Sequence, residues 1–364
     1  MNKALKILIT ILFLAGMFLP ATGVVQAQTE PRIIITQIDT SHFPLVTVYV
    51  SIVDVSGNPS PTDPTRISLS ENGTLVTTEN IQGMGSVQKL TTLLVIDVSG
   101  SMALESKLTG AQEAANLFID RMRTGDETGI LAFNIQATLA APITSDTAQL
   151  KTAVSGLTPQ ENTALYDALI QAEDILAPVE GRKAIIALTD GLDNRSAHKP
   201  ADVISNIAAS GLSISIIGLG DPSLGINNVN ALDEPTLENM ASQAGGVYSY
   251  SQDAAGLDTL YANLQRNLQA EYAITYNSSV PLRDGVNRAL TVSLNTSASG
   301  NPVSSQGKYN PGGLVPEVGK AAPWSVFLIV AIGLIMLLFI PTLIRWLIQI
   351  TKPKKKKPVI KLLD

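Results

Sequence analysis

Cysteine is absent from this 364-residue chain, histidine and tryptophan occur twice each, and only 15% of the side chains are charged. Without cysteine there is no disulfide, no thiolate metal site and no thiol nucleophile, so stability must come from the core. His42 and His198 do not fall in a motif that sets a base beside a serine nucleophile, and the HExxH pattern of zinc proteases is missing. Gly218, Gly220, Gly245 and Gly246 read as turn glycines, because no phosphate-loop spacing with a lysine accompanies them. The chain is therefore read as a non-enzyme. A basic surface is lacking too. Residues 28–344 hold sixteen Lys and Arg against thirty Asp and Glu, a balance that argues against nucleic acid as a partner.

Long apolar runs, by contrast, stand at both ends. Lys3 and Lys6 precede the run Ile7 to Leu19, and small residues follow up to Ala27. A basic start, a short apolar core and a small-residue cut site describe a secretory signal peptide over 1–27. Near the other end Ser325 to Ile344 is almost wholly apolar, which is long enough to span a bilayer. Trp324 and Trp346 bracket it as interfacial aromatics do. Arg345 and the cluster Lys352, Lys354, Lys355, Lys356 and Lys357 then place the C-terminal end in the cytoplasm by the positive-inside bias. The expectation is a single-pass membrane protein, with a transmembrane helix over 324–350, a basic cytoplasmic tail over 351–364 and its bulk outside the cell membrane.

Between these ends the hydrophobic period changes twice. Over 28–89 it is two: Val46, Val48, Val50 and Ile52 alternate with Thr47, Tyr49 and Ser51, and turn signals stand at Gly57-Asn58-Pro59 and Asn72-Gly73. Over 90–270 apolar runs at 93–96, 129–133, 184–188 and 212–217 interleave with helical patterns at 107–122, 164–177, 201–210 and 235–244. A last helix carries Leu257, Leu260, Tyr261, Leu264 and Leu268 on one face. This alternation predicts an α/β domain with a doubly wound, mostly parallel sheet. Over 271–307 the period returns to two, with Tyr272, Ile274 and Tyr276, then Leu290, Val292 and Leu294. Each β segment is short of partners on its own, so the expectation is one small β-sandwich into which the α/β domain is inserted. The Ser-, Gly- and Pro-rich stretch from 296, with a linker at 308–323, reads as a stalk to the membrane.

The most informative stretch is Leu93-Leu94-Val95-Ile96-Asp97-Val98-Ser99-Gly100-Ser101-Met102. Four apolar residues running into a carboxylate read as a doubly buried strand, with Asp97 at its carboxyl end, where open α/β sheets bind ligands. Ser99 and Ser101 add two hydroxyls, and Gly100 eases the turn between them. Asp190 ends the run 184–188 in the same way, within Leu188-Thr189-Asp190-Gly191, and Thr163 precedes the helix beginning Ala164-Leu165. Thr158 is a less well placed alternative to Thr163. Glu105 and Lys107 read as the start of a helix, and Asp193 as a solvated loop acid. An all-oxygen set of this kind suits a hard divalent cation, Mg²⁺ first and Mn²⁺ or Ca²⁺ as alternatives, with one position open.

DVSGSM, NTALYDAL and LTDG, in this order on an α/β pattern, resemble a von Willebrand factor type A domain with a complete metal-ion-dependent adhesion site. The resemblance spans about 90–270 and implies a central, mostly parallel sheet wrapped by helices. It further implies that Ser99, Ser101 and Thr163 give hydroxyls to the metal, and that Asp97 and Asp190 bind directly or through water. In adhesive relatives a partner protein's Asp or Glu completes the shell, and movement of the last helix, here 254–268, couples binding to shape. The implied function is Mg²⁺-dependent protein binding in adhesion or complex assembly. The alternative is a subunit of a membrane channel or cell-envelope assembly.

Overall fold

A computed structural model describes residues 31–83, 89–160, 162–210, 212–221, 223, 232–295, 302–313 and 324–351. The expected signal peptide, 314–323 of the expected linker and 352–364 of the expected basic tail lie outside the described residues.

The chain opens with β1 (Arg32–Asp39), β2 (Leu45–Val53), β3 (Ile67–Glu71), β4 (Thr74–Leu75) and β5 (Thr78–Gln82). The α/β part follows as β6 (Leu90–Asp97), α1 (Lys107–Asp120), β7 (Glu127–Phe133), β8 (Ala137–Thr144), α2 (Thr147–Ser155), α3 (Leu165–Leu176), β9 (Arg182–Thr189), α4 (Pro200–Ser210), β10 (Ser213–Leu219), α5 (Glu234–Gln243), β11 (Tyr248–Ser251) and α6 (Leu257–Gln269). It closes with β12 (Tyr272–Asn277), β13 (Arg288–Leu294) and β14 (Val303–Tyr309); the helix α7 (Trp324–Thr351) belongs to a second unit.

The central sheet has the order β11-β10-β9-β6-β7-β8. Its strands run parallel except β8, which is antiparallel to β7. All eight residues of β6 are buried because the strand is covered on both faces. Leu94 and Ile96 pack with Phe118, Leu150 and Tyr261 from α1, α2 and α6. Leu93 and Val95 pack with Leu169, Val203 and Leu237 from α3, α4 and α5. Alternate side chains of one strand thus serve two cores, which is why the run is continuously apolar rather than alternating. The buried stripe of α6, Leu257, Tyr261, Leu264 and Leu268, has the spacing read from the sequence.

The flanking strands form two antiparallel sheets, β1-β2-β12-β5 and β14-β13-β3-β4. Each draws strands from both sides of the α/β part: β2 pairs with β12 and β3 with β13. One apolar cluster takes Val46, Val48 and Val50 from β2, Leu69 from β3, Ile274 from β12 and Val292 from β13.

Several elements were not anticipated. β8 is an edge strand with an exposed side and the composition Ala-Thr-Leu-Ala-Ala-Pro-Ile-Thr, so no apolar run marks it. β11 is four residues of alternating Tyr and Ser, and α2 is a nine-residue helix whose Asp146 cap accepts from Ala148 N and Gln149 N. In the stretch read as the beginning of a stalk, residues 303–309 instead form β14, paired with β13 along its whole length. Its Gly307 lets β14 approach β1: a Cβ there would lie 3.1 Å from Ile38 Cδ1 and 3.3 Å from Ile35 Cδ1.

Where the α/β part joins the flanking sheets, Arg182 at the start of β9 is fully buried against Glu271, which lies between α6 and β12. Arg182 Nη2 donates to Glu271 Oε1 at 2.7 Å and to Ser213 Oγ at 3.1 Å, and Nη1 donates to Gln37 Oε1 of β1 at 3.0 Å. The second unit contains a 20-residue stretch, Phe327–Trp346, with a mean hydropathy of 2.9, long and apolar enough to cross a membrane.

Candidate metal centre

The carboxyl ends of β6 and β9, which are neighbours in the sheet, place Asp97 and Asp190 side by side. Both carboxylates are fully buried. The chain turns sharply after Asp97: Ser99 N donates to Asp97 Oδ1 at 2.8 Å, and residues 100–103 form a single 3₁₀ turn. That turn brings Ser99 Oγ within 3.1 Å of Ser101 Oγ, and Ser101 Oγ donates to Asp190 Oδ1 at 2.7 Å. Thr189 Oγ1 donates to Asp97 Oδ2 at 2.8 Å. Ser99 is buried, Ser101 half-buried and Gly100 exposed, so the cluster meets solvent at the tip of the turn.

Asp97, Ser99, Ser101 and Asp190 are thus joined in one hydrogen-bonded cluster. Thr163 sits in a different loop and is buried. Its N–H donates to Asn194 Oδ1 at 3.2 Å, and its carbonyl accepts from Asn194 N and Arg195 N, each at 3.1 Å. The Thr163 loop is therefore held to the loop that leaves Asp190, although Thr163 makes no hydrogen bond to the other four among the described residues. Ala164 N donates to Asn134 O at 2.7 Å and Gln160 N to Val98 O at 2.6 Å, tying the same loop to the ends of β7 and β6. Thr158 is exposed and outside this arrangement. Asp193 organises its own loop, accepting from Ser196 Oγ at 2.6 Å and Tyr166 N at 3.1 Å.

Lys107 departs from its reading as a simple helix start. It is the first residue of α1, its side chain is 3% exposed, and its ammonium lies 2.8 Å from Asp190 Oδ2. A cation at a helix N-terminus opposes the macrodipole, and that misplaced charge is the signal that could have flagged it. Glu105 and Ser106, immediately before it, have φ of 51° and 57°, and Asn162, before Thr163, has φ of 64°. Three of the four described non-glycine residues with positive φ therefore lie in loops of this site, where backbone strain commonly marks function.

The electrostatics favour a further positive charge. Burial, and next the neighbouring Asp190 charge, push the Asp97 carboxyl up to about 7, against the pull of its hydrogen bonds from Ser99 and Thr189. Among the described residues no group of three or more His, Cys, Asp or Glu is assembled that could hold a metal. Any cation here would be held by two carboxylates and hydroxyls, an all-oxygen set that fits a hard divalent ion.

Residues 92–192, from β6 to just past Asp190, match the von Willebrand factor type A domain family. The chain is similar to a UPF0353 protein of Mycolicibacterium paratuberculosis, 29% identical over 202 residues that cover 49% of this chain and 60% of that protein. The chain thus spans 60% of the length of the curated relatives it matches first. Among solved structures it is similar to an aerotolerance-related membrane protein from Bacteroides fragilis, at 22% identity and a TM-score of 0.43, covering 49% of this chain and 98% of that one. It is also similar to proximal thread matrix protein 1 from the mussel byssus with a zinc-occupied metal-ion-dependent adhesion site motif, at 21% identity and a TM-score of 0.45, covering 54% of this chain and 49% of that one.

Proposed function

We propose that this chain is a membrane-anchored module, its bulk outside the cell, that binds a partner protein through a divalent ion held at the tips of β6 and β9. Asp97, Ser99, Ser101, Thr163 and Asp190 would hold the ion, Mg²⁺ in the first instance. When bound, such an ion supplies a Lewis-acidic position that a carboxylate from a partner's Asp or Glu can fill. The observation that carries this reading is the cluster running from Asp97 through Ser99 and Ser101 to Asp190, two buried carboxylates linked through the Ser99 backbone N–H and the Ser99 and Ser101 hydroxyls at a solvent-facing turn.

The other features take their places around that site. The two flanking sheets act as one small sandwich that carries the inserted domain, and α7 spans the membrane with the basic tail in the cytoplasm. The role is adhesion or protein-complex assembly, not catalysis. Calorimetry on the detergent-solubilised full chain tests the site: Mg²⁺ binds the native protein, and D97A binds none while keeping its fold. EDTA-reversible capture of a partner by the native chain, absent with D97A, tests the function. Undiminished Mg²⁺ affinity in D97A would contradict the assignment.

A further inference from the structure

Lys107 is costly where it stands. Its side chain is almost entirely removed from water, and its charge opposes the dipole of the helix it begins. Two successive left-handed residues, Glu105 and Ser106, shape the chain directly before it, and Leu104 O accepts from Lys107 N at 3.0 Å to close the turn. Nothing in starting a helix requires these features. Their joint result is an ammonium 2.8 Å from Asp190 Oδ2, while Ser101 Oγ holds Asp190 Oδ1 at 2.7 Å.

The charge count gives this ammonium a role. Two carboxylates and a divalent ion are formally neutral, so an anionic partner would be drawn by the open coordination position alone, without net charge to help. Lys107 makes the same set carry one positive charge, the amount a single Asp or Glu from a partner cancels. We propose that Lys107 is a built-in cation that shares Asp190 with the bound metal, weakening the site's hold on the metal alone and reserving a positive charge for the partner's carboxylate. Metal and acidic ligand then bind cooperatively, each raising the other's affinity by the same factor. The inference rests on the metal reading above and specifies the regulation of that site.

Mn²⁺ titration of the detergent-solubilised full chain, followed by electron paramagnetic resonance with and without acetate, tests it. In the native protein acetate tightens Mn²⁺ binding. K107M and K107Q bind Mn²⁺ alone at least about tenfold more tightly than the native protein and lose most of the acetate effect, whereas K107R keeps the native pattern. The metal-induced shift in Tm supplies a readout that a merely structural lysine would not move. The metal-free K107M and K107Q proteins melt lower than the native protein, and Mn²⁺ restores them, so their metal-induced shift in Tm exceeds the native one. A lysine needed only for packing would lower both forms equally, and that result overturns the proposal. So does Mn²⁺ affinity in both variants that is no tighter than native, where D97A shows that Mn²⁺ occupies the site. If the native chain has no Mn²⁺ site that D97A removes, the metal reading fails, and this inference fails with it.

Discussion

Ser101 and Asp190, 89 residues apart in the chain, are joined by a hydrogen bond of 2.7 Å from the serine hydroxyl to the aspartate Oδ1. The bond exists because β6 and β9 are adjacent parallel strands, so that the turn after β6 lies beside Asp190, the residue that follows β9. If a divalent ion binds there, it should stabilise the folded chain by mass action. Mg²⁺ at about 100 times its Kd should add roughly 2.7 kcal/mol, visible as a rise in Tm. S101A should reduce that rise, and D97A should eliminate it. An equal rise in D97A would mean that Mg²⁺ binds elsewhere.

Much of this arrangement was legible because each part carries its own local signal. A four-residue apolar run ending in Asp97 is the mark of a strand buried on both faces, and both cores do meet at β6. The stripe on α6 was equally plain in the spacing of Leu257, Tyr261, Leu264 and Leu268. β8 and β11 were not legible, because an edge strand that shows one side to water and a four-residue strand have no distinctive period. β14 hid in Val-Ser-Ser-Gln-Gly-Lys-Tyr, where pairing with β13 overrides a composition typical of linkers. Lys107 escaped for a different reason. Its partner Asp190 is 83 residues away, and only the topology brings the two together.

Arg182 and Glu271 should be energetically inseparable. Both side chains are buried, and they join the start of β9 to the end of α6 and, through Gln37, to β1. Removing one partner leaves the other charged and buried, so R182M or E271L alone should cost about 3–5 kcal/mol in chemical denaturation. The double variant should recover most of that loss. Additive losses in the double variant would show that the two groups act independently. By the same contacts α6 is tied at its C-terminal end. Hydrogen exchange on addition of Mg²⁺ and an acidic ligand measures whether that helix still shifts when the site is filled.

Glu71 predicts acid sensitivity in the flanking sheets. Burial raises its carboxyl, but hydrogen bonds led by Ser279 Oγ at 2.7 Å, with Tyr309, Ser279 N at 2.9 Å and Ser278, outweigh burial and bring it down to about 2. A carboxyl depressed in the folded state stabilises above its unfolded value, about 4.3, and loses that contribution as pH falls towards 2. The native chain should therefore lose stability between about pH 4.5 and pH 2 from this group. E71Q should be less stable than native at pH 7 and should lack this part of the pH dependence. A difference between E71Q and native that does not change over that window would overturn the assignment.

Glu173 predicts the opposite sign. It lies on α3, buried, with no hydrogen-bond partner for Oε1 among the described residues, and burial followed by the Asp174 charge raises its carboxyl to about 8, against a hydrogen bond from Asn206. An acid raised in the folded state favours folding at low pH and loses that advantage as pH climbs from about 4.3 through 8. Above pH 8 the folded protein must carry an ionised, under-solvated carboxylate in the helical layer. E173Q removes that charge while keeping the shape, so it should stabilise the chain by at least about 1 kcal/mol at pH 9. Near pH 4, where the native side chain is neutral in the folded state, the gain should vanish. Urea titrations of the two proteins at pH 4 and pH 9 measure the difference, and a gain of equal size at both values would trace the effect to packing instead of ionisation.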